Sequence, residues 1–145
     1  MTVQRILNAQ PKRTATHIAP DATIAQLLES LEFEDIGALV VSSDGRIVEG
    51  IISERDIVRG VRRMGSDLLN KPVRDLMTAK VLTCVPDDRA AGIMALMLSK
   101  HVHHLPVVTD GKLVGMVSIR DLLHLRVDEV QSEAEAMRKY IGGAK

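Results

Sequence analysis

Gly115-Met116-Val117-Ser118-Ile119-Arg120-Asp121 decides how the rest of the chain is read. It begins apolar and ends with a hydroxyl, a guanidinium and a carboxylate within four residues. The same order occurs earlier as Gly50-Ile51-Ile52-Ser53-Glu54-Arg55-Asp56, with glycine, serine and aspartate all recurring 65 residues apart. A spacing near half the length of a 145-residue chain signals an internal duplication, which takes precedence over other patterns. Each copy reads as a strand running into a helix, with Ser53 or Ser118 at the N-cap. Free N–H groups and the dipole make a helix start attractive to anions, so a hydroxyl and an arginine there can hold a phosphate. Asp56 or Asp121, one turn on along the same face, can accept hydrogen bonds from ribose hydroxyls.

Working outward from the first copy, residues 36–41 are an apolar run of strand length. Asp44-Gly45 is a hairpin signal, and residues 47–52 return as a second strand. Glu49 lacks a counterpart in the second copy, which predicts a bulge. Ahead of this hairpin, residues 14–18 suggest a short strand. Thr23 suits a helix cap, with Ile24, Leu27, Leu28 and Leu31 at helical spacing as far as Glu34-Asp35. The helix opened by Ser53 carries Ile57, Val58 and Val61 and ends near Gly65. The second copy repeats the order: a strand at 81–85, a helix with Ile93, Met94, Met97 and Leu98, a strand at 101–108, the turn Thr109-Asp110-Gly111, and a returning strand from Leu113 to Val117.

The expected layout is therefore an α+β chain of two β-α-β-β-α units. Residues 1–66 form the first unit with an N-terminal segment, whose Val3, Ile6 and Leu7 suggest a helical turn. Residues 67–80 form a linker with a short helix near Val73, residues 81–126 the second unit, and residues 127–145 a helical tail. The tail carries an apolar stripe at Val127, Val130, Ala134, Met137 and Ile141, which suggests packing on a partner surface.

Composition excludes several functions. Lys+Arg and Asp+Glu both number 19, so no net charge draws the chain to nucleic acid or an acidic membrane. Phe33 and Tyr140 are its only aromatic residues, too few for base-stacking platforms. Cys84 is the single cysteine, which fits a reducing compartment and reads as an inert buried thiol. No apolar run approaches the ~20 residues of a membrane span, and the first residues lack a signal-peptide core, so the cytoplasm is the expected location. In a strand His101 and His103 share one face and His104 takes the other, and two imidazoles without a nearby cysteine or third ligand make a poor zinc site. Asp87-Asp88 read as capping groups rather than a catalytic pair. Glu54 and Arg59 read as a solvated face.

Two units with Gly-x-x-Ser-x-Arg-Asp after each hairpin, and His103-His104-Leu105-Pro106-Val107-Val108 before one of them, resemble a tandem pair of CBS domains over about residues 3–126. The tail makes the chain similar to small stand-alone bacterial proteins of that family. The resemblance implies two units packed through their sheets about a pseudo-twofold axis, commonly assembled as a disc-shaped homodimer. It also implies clefts that bind AMP, ADP, ATP, NAD(H) or S-adenosylmethionine. By that resemblance Ser53 and Ser118 touch phosphate, Asp56 and Asp121 hold ribose, and Arg55 and Arg120 reach phosphate. His103 and His104 face the phosphates, while Gly37 and Ala38 stand in their places in the first unit, which makes the two sites unequal. Ile36 and Val102 offer backbone groups to the adenine, and Ala79 and Lys80 lie along the base.

The resulting expectation is a non-catalytic sensor with no required cofactor or metal, signalling to an unknown regulated protein. The alternatives are a structural dimerisation module with degenerate clefts and a nucleotide-processing enzyme. The latter lacks an activated nucleophile and a Mg²⁺-type carboxylate set in the sequence. Ser53 and Ser118 as plain caps, with Asp56 and Asp121 complementing the helix ends, is the reading without a ligand.

Overall fold

A computed structural model describes residues 1–11 and 17–143. Helix α1 (Val3–Ala9) precedes β1 (His17–Ile18), α2 (Ile24–Glu34), β2 (Ala38–Val41), β3 (Gly50–Ser53) and α3 (Glu54–Met64). Two short 3-10 turns, Gly65–Asn70 and Val73–Asp75, bridge to the second half. There α4 (Ala90–Lys100), β4 (His104–Thr109), β5 (Lys112–Ser118) and α5 (Ile119–Gly143) follow. The duplicated order predicted from the motif is present. The strand expected at 14–18 lies mostly outside the described residues, apart from its end at β1.

In the first unit β2 is central, parallel to β1 and antiparallel to β3. All four of its residues are buried, which is why the sequence there is a continuous apolar run rather than an alternating one. Thr23 starts α2 with a reciprocal cap: its hydroxyl accepts from the Gln26 N–H, and the Gln26 side chain accepts from the Thr23 N–H. Ile24, Leu27 and Leu31 then face Leu39, Val41 and Ile52. In the second unit Ile93, Met97, Leu105, Val107, Val117 and Leu122 form the matching core.

Each core is completed by the segment preceding the other unit. Leu68 and Val73 from the linker are buried in the first core, where the Val73 N–H donates to the Ala22 carbonyl. Val3 and Ile6 of α1 are buried in the second core, where the Val3 N–H donates to the Asp88 carbonyl. The exchange is symmetric: Thr2 bridges Arg89, and Pro72 bridges Thr23.

Several strand boundaries differ from the sequence expectation. Residues 81–85 reduce to one parallel bridge, Cys84 to Val107, with the Cys84 N–H donating to Pro106 and its carbonyl accepting from Val108. β4 starts at His104 because His101 is the left-handed C-cap of α4 at φ 55°, so His101 and His103 do not share a strand face. Asp35 closes α2 in the same way at φ 52°. Residues 47–49 stay outside β3, because the Asp44 carboxylate accepts from the Arg46 and Ile47 N–H groups and builds a wider turn. The register shift falls in the second hairpin, between Val107 and Val108 opposite Leu113 and Gly115, not at Glu49. There Asp110 and Gly111 both take positive φ, the two-residue turn that matches strand twist. Asp88 accepts from the Val85 N–H, while α4 has Arg89 at its N-cap without a side-chain cap. Leu98 is exposed, so the packed face of α4 is narrower than its sequence suggests.

Gly50 marks a close approach. A Cβ there would lie 2.6 Å from the Met77 sulfur and 3.0 Å from the Thr78 carbonyl oxygen. Met77 can swing away, but Thr78 is held by two backbone hydrogen bonds with Ile51. Gly50→Ala is expected to cost about 1–3 kcal/mol through overpacking, read as a lower denaturation midpoint. Gly92 in α4 has open space, and Gly92→Ala is expected to gain about 0.5–1 kcal/mol. Equal effects at the two positions would contradict this packing.

Candidate functional site

The two Ser-x-x-Asp motifs make the same local structure. The Ser53 N–H donates to Asp56 Oδ2 at 2.9 Å, and the Ser53 hydroxyl donates to the same oxygen at 3.2 Å. In the second copy the Ser118 N–H donates to Asp121 Oδ2 at 2.9 Å, and the Asp121 N–H donates to the Ser118 hydroxyl at 3.1 Å. Both motifs therefore cap a helix, with aspartate in the place where glutamate is usual.

Their surroundings differ. Ser118, Arg120 and Asp121 line a cleft of about 1070 Å³ together with His103, His104, Ile36 and Gly37. Seven of the residues singled out in the sequence thus meet at one place, two of them from the first unit. Ser53, Arg55, Asp56, Ala38, Val102, Ala79 and Lys80 do not line it. Arg55 Nη1 donates to the His101 carbonyl at 3.2 Å, joining the first unit's helix to the end of α4. Ala38 is buried opposite Ser53. Val102 donates its N–H to the Met97 carbonyl. Ala79 and Lys80 are exposed at the end of the linker.

Gly37 of the first unit lies beside His104 of the second. A Cβ on Gly37 would lie 3.5 Å from His104 Cε1 and 3.6 Å from Glu54 Cδ. His104 is partly buried against this backbone, at the start of β4 opposite Ser118. Burial holds its imidazole below the ordinary value of 6.5, His103 adds to this by repulsion, and Asp121 pulls the other way. This favours the neutral imidazole of His104 near pH 7, which can give a hydrogen bond but carries no charge. Because the folded value is depressed, its contribution to stability is fully present above the unfolded value. That contribution is lost as pH falls from there through the folded value. Melting from pH 7.5 to pH 5 is expected to show a declining Tm, with a smaller decline in His104→Gln. Parallel declines would exclude His104 as a source.

The cleft holds residues that the motif does not disclose: Leu7, Gln10, Pro11, Glu32, Asp35, Glu54, Met116 and His124 among them. Gln10 is the most telling, since its amide donates to Asp121 Oδ2 at 3.0 Å and to the Met116 carbonyl at 2.9 Å. The sequence does carry a signal for it. Val3, Ile6, Leu7, Ala9 and Gln10 stand 70 residues before Val73, Leu76, Met77, Ala79 and Lys80. The structure uses the correspondence: Leu7 packs over Gly115 as Met77 packs over Gly50. Cys84 takes no part, as its buried thiol is pushed up to about 11.

Comparison with known proteins follows the duplication. The CBS domain model matches twice, over residues 5–63 and 73–128. The CBS domain-containing protein CBSX3, mitochondrial, of Arabidopsis thaliana is 34% identical over 127 residues, covering 85% of this chain and 62% of the relative. The chain spans 62 to 66% of the length of the first curated relatives it matches. The structure of a putative signal-transduction protein with CBS domains from Burkholderia ambifaria superposes with a TM-score of 0.81 at 35% identity, covering 88% of this chain and 95% of that one. The CBS domain pair of protein MJ0100, solved in complex with 5′-methylthioadenosine and S-adenosyl-L-methionine, shares the fold with a TM-score of 0.74 at 22% identity, covering 89% and 98% of the two chains. With one model matching two successive stretches that together span most of its length, and its halves related by the same motif, the chain belongs to the CBS-domain family, as a tandem pair.

Proposed function

We propose that this protein is a non-catalytic sensor that takes an adenine nucleotide into the cleft lined by Ser118, Arg120 and Asp121 and passes its occupancy to a partner protein. The observation that carries this reading is the convergence of Asp121, Ser118, Arg120, His103 and His104 with Ile36 and Gly37 of the other unit in one cleft. Asp121 suits ribose hydroxyls, Arg120 suits a phosphate, and the apolar Leu7, Ile36 and Met116 suit a base. The adenosine-type ligands of MJ0100 support the ligand class. Ser53, Arg55 and Asp56, with Ala79, Lys80 and Val102, would form the second and unequal site. A homodimer through the CBS units and a cytoplasmic setting belong to the same proposal.

The charges of the described lining residues order the candidates. Glu32, Asp35, Glu54 and Asp121 stand against Arg120, and burial favours the neutral form of His104. A lining with excess carboxylate repels added phosphates, so AMP or S-adenosylmethionine is expected to bind better than ADP or ATP. The test is a thermal-shift panel with AMP, ADP, ATP, NAD⁺, NADH and S-adenosylmethionine. A ligand bound at a hundredfold excess over its Kd raises stability by about 2.7 kcal/mol. No shift with any of them would favour the structural dimerisation module. Turnover of a ligand during incubation would favour the enzyme.

A further inference from the structure

Beyond Leu125, α5 leaves the second core and continues to Gly143. Leu123, Val127, Val130, Met137 and Ile141 on it are 48 to 66% exposed, and Ala134 is exposed as well. Leu123, Val127, Val130, Ala134, Met137 and Ile141 are spaced four, three, four, three and four residues apart, two positions in each seven. A stripe confined to these two positions per heptad is the narrow seam of a two-helix coil, whereas a helix lying on a core carries a broader one. A helix projecting this far without a packed face is marginal in water.

We propose that α5 pairs in parallel with α5 of a second copy of this chain, with Val127, Ala134 and Ile141 at a positions and Leu123, Val130 and Met137 at d positions. Of these, Val127 and Ile141 at a and Leu123 at d are the residue types that favour two strands. The flanking charges choose the direction. In the parallel pair Glu133 at g meets Arg138 at the following e position of the other helix, twice by symmetry. In the antiparallel pair that keeps the same seam, Glu133 faces its own copy and His124 faces Arg138. This inference goes beyond the adenine-nucleotide reading and does not depend on a ligand.

The test is disulfide trapping in the full chain, with native Cys84 retained because it is buried and its thiol is pushed up to about 11. Ala134→Cys at the seam is expected to form an intermolecular disulfide about tenfold faster than Ser132→Cys on the outer face. Arg138→Glu should slow trapping at position 134, and adding Glu133→Arg should restore it. Equal rates at 132 and 134 would overturn the proposal. So would trapping confined to mixtures of Val130→Cys with Ala134→Cys, which signals antiparallel helices. A dimer by sedimentation without trapping at 134 would overturn the tail pairing while leaving dimerisation through the CBS units intact.

Discussion

Asp121→Asn is expected to weaken adenine-nucleotide binding in the cleft by about tenfold to a hundredfold, the worth of one or two hydrogen bonds to a charged group. The cap should survive, because the asparagine oxygen can still accept from the Ser118 N–H as Asp121 Oδ2 does. What is lost is the carboxylate that ribose hydroxyls would donate to, and that Gln10 Nε2 now occupies at 3.0 Å. Asp56→Asn is the matched comparison, since Asp56 makes the same local cap but does not line this cleft. Calorimetric titration of both variants with the best ligand of the panel decides the matter. Equal losses, or none in Asp121→Asn, would move the binding site away from this cleft.

The second large effect concerns stability. Removing residues 1–10 is expected to destabilise the second unit, although it lies far along the chain. Val3 and Ile6 are almost fully buried, and each such side chain contributes about 1.5–3 kcal/mol. The loss of about 3–6 kcal/mol is a large share of the 5–15 kcal/mol typical of a whole domain. For a chain of this size it corresponds to a fall of roughly 10–20 °C in Tm. Hydrogen exchange should quicken most in α4, β4 and β5, which share that core, and least in α2 and β2. Uniform quickening, or an unchanged Tm, would show that α1 is not part of the second core.

The duplication makes most of the fold legible. Apolar spacing locates α2, α3 and α4, and the Thr23 cap and Asp110-Gly111 turn act locally as their chemistry dictates. Failures come where the two copies use one signal differently. Asp44-Gly45 resembles Asp110-Gly111, yet the Asp44 carboxylate folds back on the Arg46 and Ile47 amides and widens the turn. His101 sits in a strand-like run but has to end a helix, as Asp35 does. At the site, the motif residues of the second unit are legible, and so are Ile36 and Gly37. Gln10 is not, because the N-terminal segment and the linker are a second, weaker repeat at a different spacing. Only the tertiary exchange of these segments between units shows why it exists.

A helix of 25 residues is about 37 Å long, and α5 has its first turn in the cleft wall and its last turn clear of the body. A tilt of about 5° at the first turn carries the far end about 3 Å at this length. On the proposed sensor reading, a tilt set off by ligand at Asp121 would reach the far end of α5 at the scale on which two surfaces meet or part.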